Sequence, residues 1–346
     1  MGETAFDHPE IHGNLSFSRA EFLNNCIFRI SSPNFDRQIE KRQIIEFSHI
    51  IFNPGLTFFE DFSSNSINDA TDFNTAVLFR YCNLNEAFFF KNDLSLFSFY
   101  NSVFDQARFI SNNWQQKNSG LPGRKKVLLD EILFIQQNQY SGEARKKFTE
   151  RYRLDHLNSF SIIAGLYHRM KIALENTKDF AEASWFHYNE NEMHRLELRE
   201  HLKQSPFRGT IPEKFKYYFL GVYKLFSGYG EKPTRSFKWF IFFAFFFFPA
   251  VHLANGLSVK NAFMLKKISF LNFDISFLIQ NEFIQNFWYA VNFSLYRIIP
   301  IDILPLQYIN PPEGPFGLFW SFINSIVLAV LAFLTAVGLK NRYRRS

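Results

Sequence analysis

The residues best suited to chemistry form a stripe near the middle of the chain. His187, Glu190, His194, Glu197 and His201 follow one another at spacings of three and four, which places them on one face of a helix. Imidazole and carboxylate groups at such spacings can bind a transition metal. No second cluster of His or Cys completes a ligand set in the sequence, so a solvated stripe with pairing between helical turns is the favoured interpretation.

Other signatures of catalysis are missing from the sequence. It contains neither a glycine-rich phosphate loop nor a nucleophile elbow, so we expect no enzymatic activity, no catalytic residues and no cofactor. Residues 1–116 hold 8 Lys and Arg against 14 Asp and Glu, although the whole chain has a formal net charge of +6. An acidic N-terminal part does not offer the basic reading surface that nucleic-acid-binding proteins use.

Two helices are expected to position the stripe. Apolar residues recur at helical spacing between Ile163 and Ala173, and a polar–x–x–acidic helix start follows at Asp179. The two helices would form an antiparallel hairpin joined near residues 176–178. Before them, residues 117–157 contain Pro, Gly and two basic triplets. This segment is interpreted as a linker or cap, with attraction of the triplets to an anionic membrane leaflet as the alternative.

Residues 72–114 show a five-residue period, which neither a helix nor a strand explains. At a distance of 20 residues, Ala87 returns as Ala107 and Asn92 returns as Asn112. This return is expected if four five-residue sides close one coil of a square solenoid. The large residues predicted to fill the solenoid core are Phe73, Leu78, Leu84, Phe89, Leu94, Phe99, Phe104 and Phe109.

The units T-D-F-N-T, C-N-L-N-E and A-R-F-I-S resemble the pentapeptide-repeat family, whose units read roughly small–polar–Leu/Phe–polar–any. The resemblance implies a right-handed quadrilateral β-helix, which we place at residues 26–116 with weaker units upstream. Members of this family with acidic surfaces can inhibit topoisomerases by mimicking DNA. The membrane segments described next disfavour that role here.

The C-terminal half contains two apolar runs that predict membrane spans at about residues 238–258 and 316–339. Residues 213–238 contain six Lys and Arg and residues 340–346 contain four, whereas the much longer stretch 260–315 contains four. Because basic residues are retained on the cytoplasmic side, we expect both termini in the cytoplasm. The protein would then be a multi-pass protein of the inner (plasma) membrane.

Between the two predicted spans, residues 281–305 read as an apolar helix followed by an extended, Pro-containing piece. This plan is similar to that of bacterial pentapeptide-repeat membrane proteins whose C-terminus resembles a two-helix potassium channel. A potassium filter needs T-x-G-Y-G, because its backbone carbonyls replace the hydration shell of the ion. The corresponding positions are Tyr296, Arg297, Ile298, Ile299 and Pro300, which are candidates for lining a pore without potassium selectivity.

The expected fold class is therefore multi-domain: a β-helix, then an α-helical hairpin, then a two-helix transmembrane domain. The predicted domains are residues 26–116 (repeat), 117–157 (linker or cap), 158–236 (cytoplasmic helical region) and 237–346 (channel-like). The favoured function is a membrane-tethered module that presents an acidic face to an unknown cytosolic protein. The alternative is a gated nonselective or anion pore, or a membrane-disrupting effector, which would require a homo-oligomer.

Overall fold

The computed structural model describes residues 4–7, 15–19, 21–22, 26–29, 43–52, 57–60, 75–114, 126–204, 211–255, 257–259, 282–296, 309–310 and 314–343. These residues belong to two units, Met1–Leu220 and Gly221–Arg344.

Short strands rich in Phe, Ile and Val run through the first half of unit 1. They are β1 (Thr4–Asp7), β2 (Leu15–Ser18), β3 (Glu21–Phe22), β4 (Cys26–Arg29), β5 (Gln43–Ser48), β6 (Ile51–Phe52), β7 (Thr57–Glu60), β8 (Thr75–Arg80), β9 (Ala87–Phe90), β10 (Phe97–Ser98) and β11 (Arg108–Ile110). A five-stranded parallel sheet has the order β1-β4-β7-β9-β11, and a four-stranded parallel sheet has the order β10-β8-β5-β2. The strands β3 and β6 pair with each other in parallel.

The prediction of a closed right-handed quadrilateral β-helix is wrong. The described strands form small separate sheets, helices contribute more residues than strands do, and the unit has an α/β fold. The five-residue period misled because the spacing between paired strands is not constant. Phe89 pairs with Phe109, 20 residues on, whereas Thr57 pairs with Ala87 and Gln43 with Thr75. Elsewhere in the described strand region the layers are joined by isolated bridges and single backbone hydrogen bonds rather than by continuous ladders.

Burial still follows the five-residue spacing within the described part of the repeat. Phe73 lies outside the described residues. The other predicted core residues are almost or completely inaccessible to solvent: Leu78, Leu84, Phe89, Leu94, Phe99, Phe104 and Phe109. The small residues Ala87 and Ala107 are also buried. Apolar burial at these positions stabilises the strand region whatever the closure of its sheets.

Phenylalanine rings form two stacked columns inside the strand region. In one column, Phe17, Phe47, Phe79 and Phe99 are stacked at centroid distances of 5.1, 5.1 and 5.7 Å. In the other, Phe28, Phe59, Phe89 and Phe109 are stacked at 5.2, 5.1 and 4.8 Å. Rings of the two columns meet edge to face, as Phe79 and Phe89 do at 89°. Both arrangements are favourable for aromatic quadrupoles, and the two columns hold eight of the 47 phenylalanines.

Helices follow the strands and share their core. They are α1 (Leu129–Gln139), α2 (Gly142–Tyr152), α3 (Phe160–Asn176), α4 (Phe180–Gln204) and α5 (Ile211–Ser227), of which the last ends in unit 2. Leu129 and Leu133 of α1 belong to the same hydrophobic core as the phenylalanine columns. The helices α3 and α4 pack along each other, and Thr177–Asp179 joins them. The segment that we interpreted as a linker or cap therefore contributes to the core.

Unit 2 is built from apolar helices. They are α6 (Pro233–Phe242), α7 (Phe248–Ala254), α8 (Glu282–Tyr296) and α9 (Gly314–Tyr343), with the two-stranded antiparallel pair β12 (Ser258–Val259) and β13 (Ile309–Asn310). Two helical stretches, Pro233–Ala254 and Pro315–Lys340, are long and apolar enough to cross a membrane. At 22 and 26 residues they would extend about 33 and 39 Å, against roughly 30 Å for a bilayer core.

The first of these stretches contains a π-helical turn, Phe243–Phe247, between α6 and α7. Pro249 follows this turn after Phe248. Its ring lacks an N–H and would clash with the carbonyl four residues earlier in a regular α-helix. A π-turn relieves that clash without ending the helix. The helix therefore continues to Ala254 despite the proline within it.

Candidate functional site

The outward side of strands β9 and β11 carries an aromatic and cationic surface. Along β9, Ala87 and Phe89 are buried while Phe88 and Phe90 are half-exposed, because successive strand residues point to opposite faces. Arg108 and Ile110 are the neighbours of Phe88 and Phe90 on β11. We call Phe88, Phe90, Lys91, Arg108 and Ile110 the aromatic face.

Two cations are held against the rings of the aromatic face. The Arg108 guanidinium lies 4.9 Å from the centroid of the Phe88 ring, and Lys91 Nζ lies 4.8 Å from that of Phe90. Such cation–π contacts position the charges over an apolar surface. Aromatic and Arg side chains of this kind are enriched at protein–protein interfaces. This surface differs from the acidic face that we expected from the sequence, because it combines apolar rings with positive charge.

A polar cleft of about 550 Å³ lies on another side of the strand region. Arg19, His49 and Tyr81 line one edge of the cleft. They have left-handed backbone, as does Asn101 in the next layer, with φ angles between 53 and 60°. The His49 and Tyr81 rings stack at 4.6 Å. Left-handed backbone is uncommon for residues other than glycine. Here each corner is held by a backbone hydrogen bond to the next layer, as from the His49 N–H to the Arg80 carbonyl at 2.9 Å.

A buried charged cluster lies beneath the cleft. Arg80 donates hydrogen bonds to Ser98 Oγ at 2.7 Å and to the Tyr152 carbonyl at 2.9 Å. Ser98 donates in turn to Asp130 Oδ1 at 2.5 Å, and the Phe99 N–H donates to Asp130 Oδ2 at 3.0 Å. Burial lowers the pKa of Arg80 and raises that of Asp130, and in each case the charge of the other residue offsets part of the shift. The cluster joins β8, β10, α1 and the end of α2.

The His/Glu stripe is distributed over several separate contacts. Glu190 binds residues of α3, with His168 Nδ1 and Lys171 Nζ each 2.9 Å from a carboxylate oxygen, while His187 Nδ1 lies at 3.6 Å. Burial raises the pKa of Glu190, but the hydrogen bonds from His187 and Lys171, together with the charge of Lys171, outweigh it and lower the pKa to about 2. Glu190 is thus a carboxylate that joins α4 to α3.

The remaining members of the stripe do not converge on Glu190. Glu197 accepts a hydrogen bond from the Ser161 N–H at 3.1 Å, and His201 lies 3.7 Å from Glu213 of α5. His194 is exposed. Within the described residues, no group of three or more His, Cys, Asp or Glu side chains could hold a metal ion.

The pore-lining candidates fall mostly outside the described residues. Tyr296 is the last residue of α8 and is half-buried. Arg297, Ile298, Ile299 and Pro300 lie outside the described part of the chain. Their role in lining a pore therefore stays a prediction from the sequence.

Unit 2 instead contains a buried polar cluster that sequence reasoning did not single out. His252 of α7, Asn292 and Ser294 of α8, and Ser321 and Asn324 of α9 are all buried. Asn324 Nδ2 donates a hydrogen bond to the Ser294 carbonyl at 3.3 Å. Polar residues within membrane-length helices are costly to bury and often mark functional positions.

The buried acidic residues of α1 had a visible signal in the sequence. Asp130 and Glu131 interrupt the apolar run VLLDEILF, and both are buried. Two acidic residues in such a run indicate internal partners, because a buried carboxylate must be paired or hydrogen-bonded. The partners themselves, Arg80 for Asp130 and the Tyr167 hydroxyl for Glu131, lie far away in the chain. No local pattern identifies them.

A comparison with family models, curated proteins and solved structures finds no match to this chain. The resemblance to pentapeptide-repeat membrane proteins therefore stays a prediction from the residues.

Proposed function

We propose that this protein is an integral membrane protein of the bacterial plasma membrane whose N-terminal strand region docks a cytosolic protein partner. The aromatic face carries this proposal. It combines half-exposed Phe88 and Phe90 with exposed Ile110 and two cations, and interfaces concentrate binding energy in aromatic and Arg residues. The two membrane-length helices support the membrane tether.

Two observations support placing both termini in the cytoplasm. Lys and Arg are concentrated before the first long helix and after the second. In addition, Pro233 at the start of the first contacts Gly338 near the end of the second, so these two ends lie at the same side of the helix pair. External protease on intact cells should then cut within residues 260–315 alone. Release of the strand region by external protease would reverse this topology.

The docking proposal can be tested by site-specific photocrosslinking in cells. A photoreactive phenylalanine analogue at Phe90 or Ile110 should capture one defined protein, identified by mass spectrometry. The adduct should decrease several-fold when Arg108→Glu is added, because a cation that contacts the partner becomes an anion. Exposed Gln106, which does not belong to the aromatic face, is the matched control position. Equal capture at all three positions, or no dependence on Arg108, would overturn the docking proposal.

A second function, a pore, is favoured by the buried polar cluster of unit 2. Asn324 Oδ1 and Ser294 Oγ are buried without a hydrogen-bond partner among the described residues, and such atoms are suited to water or an ion. Two membrane helices per chain do not enclose a pore, so this function requires a homo-oligomer. Arg297, if it lined that pore, would favour anions over cations because its charge persists at any working pH. Arg297→Glu should then shift the reversal potential toward that of cations.

A further inference from the structure

The helix α5 has an apolar face that the described protein leaves uncovered. Its exposed large side chains recur at helical spacing and are Ile211, Phe215, Tyr218, Phe219, Val222 and Leu225. They cover roughly 120° of the helix surface, as expected for one continuous apolar stripe. This is a larger apolar surface than isolated exposed residues make, and such patches mark binding surfaces.

The polar side of the same helix is directed toward α4. The Arg195 guanidinium of α4 lies 5.7 Å from the centroid of the Tyr217 ring. His201 Nδ1 lies 3.7 Å from Glu213 Oε1. These contacts fix the rotation of α5 about its axis, so the apolar stripe is held outward by packing on the opposite side.

A tight reversal joins α5 to the first membrane-length helix. Gly228, Tyr229 and Gly230 have φ angles of 57, 60 and 81°, and three successive left-handed residues end a right-handed helix. A Cβ on Gly230 would lie 2.7 Å from the Tyr223 hydroxyl oxygen, so that side chain would have to move, and the positive φ angle itself disfavours residues other than glycine. The membrane-length stretch begins at Pro233, directly after this turn.

Positive charge surrounds the apolar stripe. Lys214 and Lys216 are exposed on its two borders. Residues 213–238 contain six Lys and Arg against two Asp and Glu. Basic residues next to a membrane span are attracted to anionic lipid headgroups. A protein partner or a second copy of the chain would not by itself explain this combination of aromatic stripe, basic borders and adjacency to a span.

We propose that α5 lies in the interface of the bilayer, with its apolar stripe among the acyl chains and its lysines at anionic lipid headgroups. Amphipathic helices with aromatic and Leu residues on one face and Lys on the other bind membranes in this way. The inference rests on the proposed membrane location of the two long helices. The apolar stripe of α5 would therefore contact lipid, whereas a protein partner is proposed for the aromatic face.

Photocrosslinking of the full-length protein tests the inference in nanodiscs of phosphatidylcholine and phosphatidylglycerol. The photoreactive phenylalanine analogue replaces Phe215, Phe219 or Val222 in turn. Tyr217, on the opposite side of the helix, is the matched control position. Phe322, which is exposed on the membrane-length helix α9, reports in a parallel sample whether the long helices are in the bilayer.

Lipid adducts are expected at the three stripe positions and at Phe322, and several-fold fewer at Tyr217. Replacing phosphatidylglycerol by phosphatidylcholine should reduce the adducts on α5 but not those at Phe322. Adducts at Phe322 without adducts on the stripe would overturn the inference and leave the membrane location intact. A crosslinked dimer at the stripe would instead assign the surface to a second copy. Absence of lipid adducts at all four positions would refute the membrane location itself.

Discussion

Gly338 of α9 lies against Pro233 of α6 so closely that a Cβ on the glycine would be 2.9 Å from the proline Cβ and 3.1 Å from its Cα. Small residues permit this close approach of membrane helices, where van der Waals packing replaces the hydrophobic driving force. The contact brings the beginning of one long helix to the end of the other. The contact is therefore sensitive to the size of the side chain at position 338.

Gly338→Leu should destabilise the helix pair by about 1–3 kcal/mol, because the added atoms overlap proline atoms that have no freedom to move away. Thermal unfolding of the full chain in detergent micelles measures the effect. Ala336→Leu, at an exposed position of the same helix, is the size-matched control and should change the midpoint little. Equal shifts for the two variants would show that α6 and α9 do not pack through Gly338.

Ala87→Leu or Ala107→Leu should cost about 1–3 kcal/mol of folding free energy, because both methyl groups face the filled interior of the strand region. Gln106→Leu introduces the same side chain at an exposed neighbouring position and should be close to neutral. Thermal unfolding of the three variants provides the comparison. If Gln106→Leu proved as costly as the alanine substitutions, the assignment of inward and outward residues would be incorrect.

Asp130→Asn should destabilise unit 1 by about 3–5 kcal/mol, because it leaves the buried charge of Arg80 without its counter-charge. The double variant Arg80→Met/Asp130→Leu removes both charges and should be less destabilised than the single variant. Glu143→Gln, which removes one partner of an exposed ion pair with Lys147, is the control and should have little effect. A single variant as stable as this control would mean that the cluster does not join the strands to α1.

The ion pairs of Glu190 predict a pH dependence. The pKa of Glu190 is lowered from 4.5 to about 2, so the folded state favours its ionised form. The resulting stabilisation is complete above pH 4.5, the ordinary pKa of a glutamate carboxyl group, and is lost as the pH falls toward 2. Its size is on the order of 2 kcal/mol, reduced by solvent at the exposed His168 and His187. The midpoint difference between wild type and Glu190→Gln, followed from pH 7 to pH 2, should shrink below pH 4.5; a constant difference would contradict the assignment.

Sequence periodicity predicted burial better than it predicted architecture. Leu84, Phe89 and Phe99 are buried at the expected five-residue spacing. A large apolar side chain favours burial whichever distant strand it packs against, so its own residue type is enough to predict burial. Closure of the sheets cannot be predicted from neighbouring residues alone. It depends on which distant strands pair, and the pairing of Thr57 with Ala87 departs from the 20-residue spacing seen at Phe89 and Phe109. The long apolar helices were also visible in the sequence, since the length and composition of an apolar run are enough to predict a helix that could cross a membrane.

The candidate sites were harder to predict for the same reason. The His/Glu stripe was visible as a pattern, but its partners His168, Lys171 and Ser161 lie on another helix. The aromatic face depends on Phe88 and Arg108 becoming neighbours across two strands. The 20-residue return of Ala87 as Ala107 aligns these two residues, but the pattern does not show that a cation and a ring would meet on the outward side.

The measurement that most directly tests the account is ion flux through the full-length protein in sealed liposomes. If unit 2 is a membrane anchor, vesicles that contain the protein should hold gradients of potassium, sodium and chloride as well as protein-free vesicles do. Flux that increases with the amount of protein, and that Asn324→Leu abolishes, would contradict the account. It would establish the buried polar cluster of unit 2 as part of a pore.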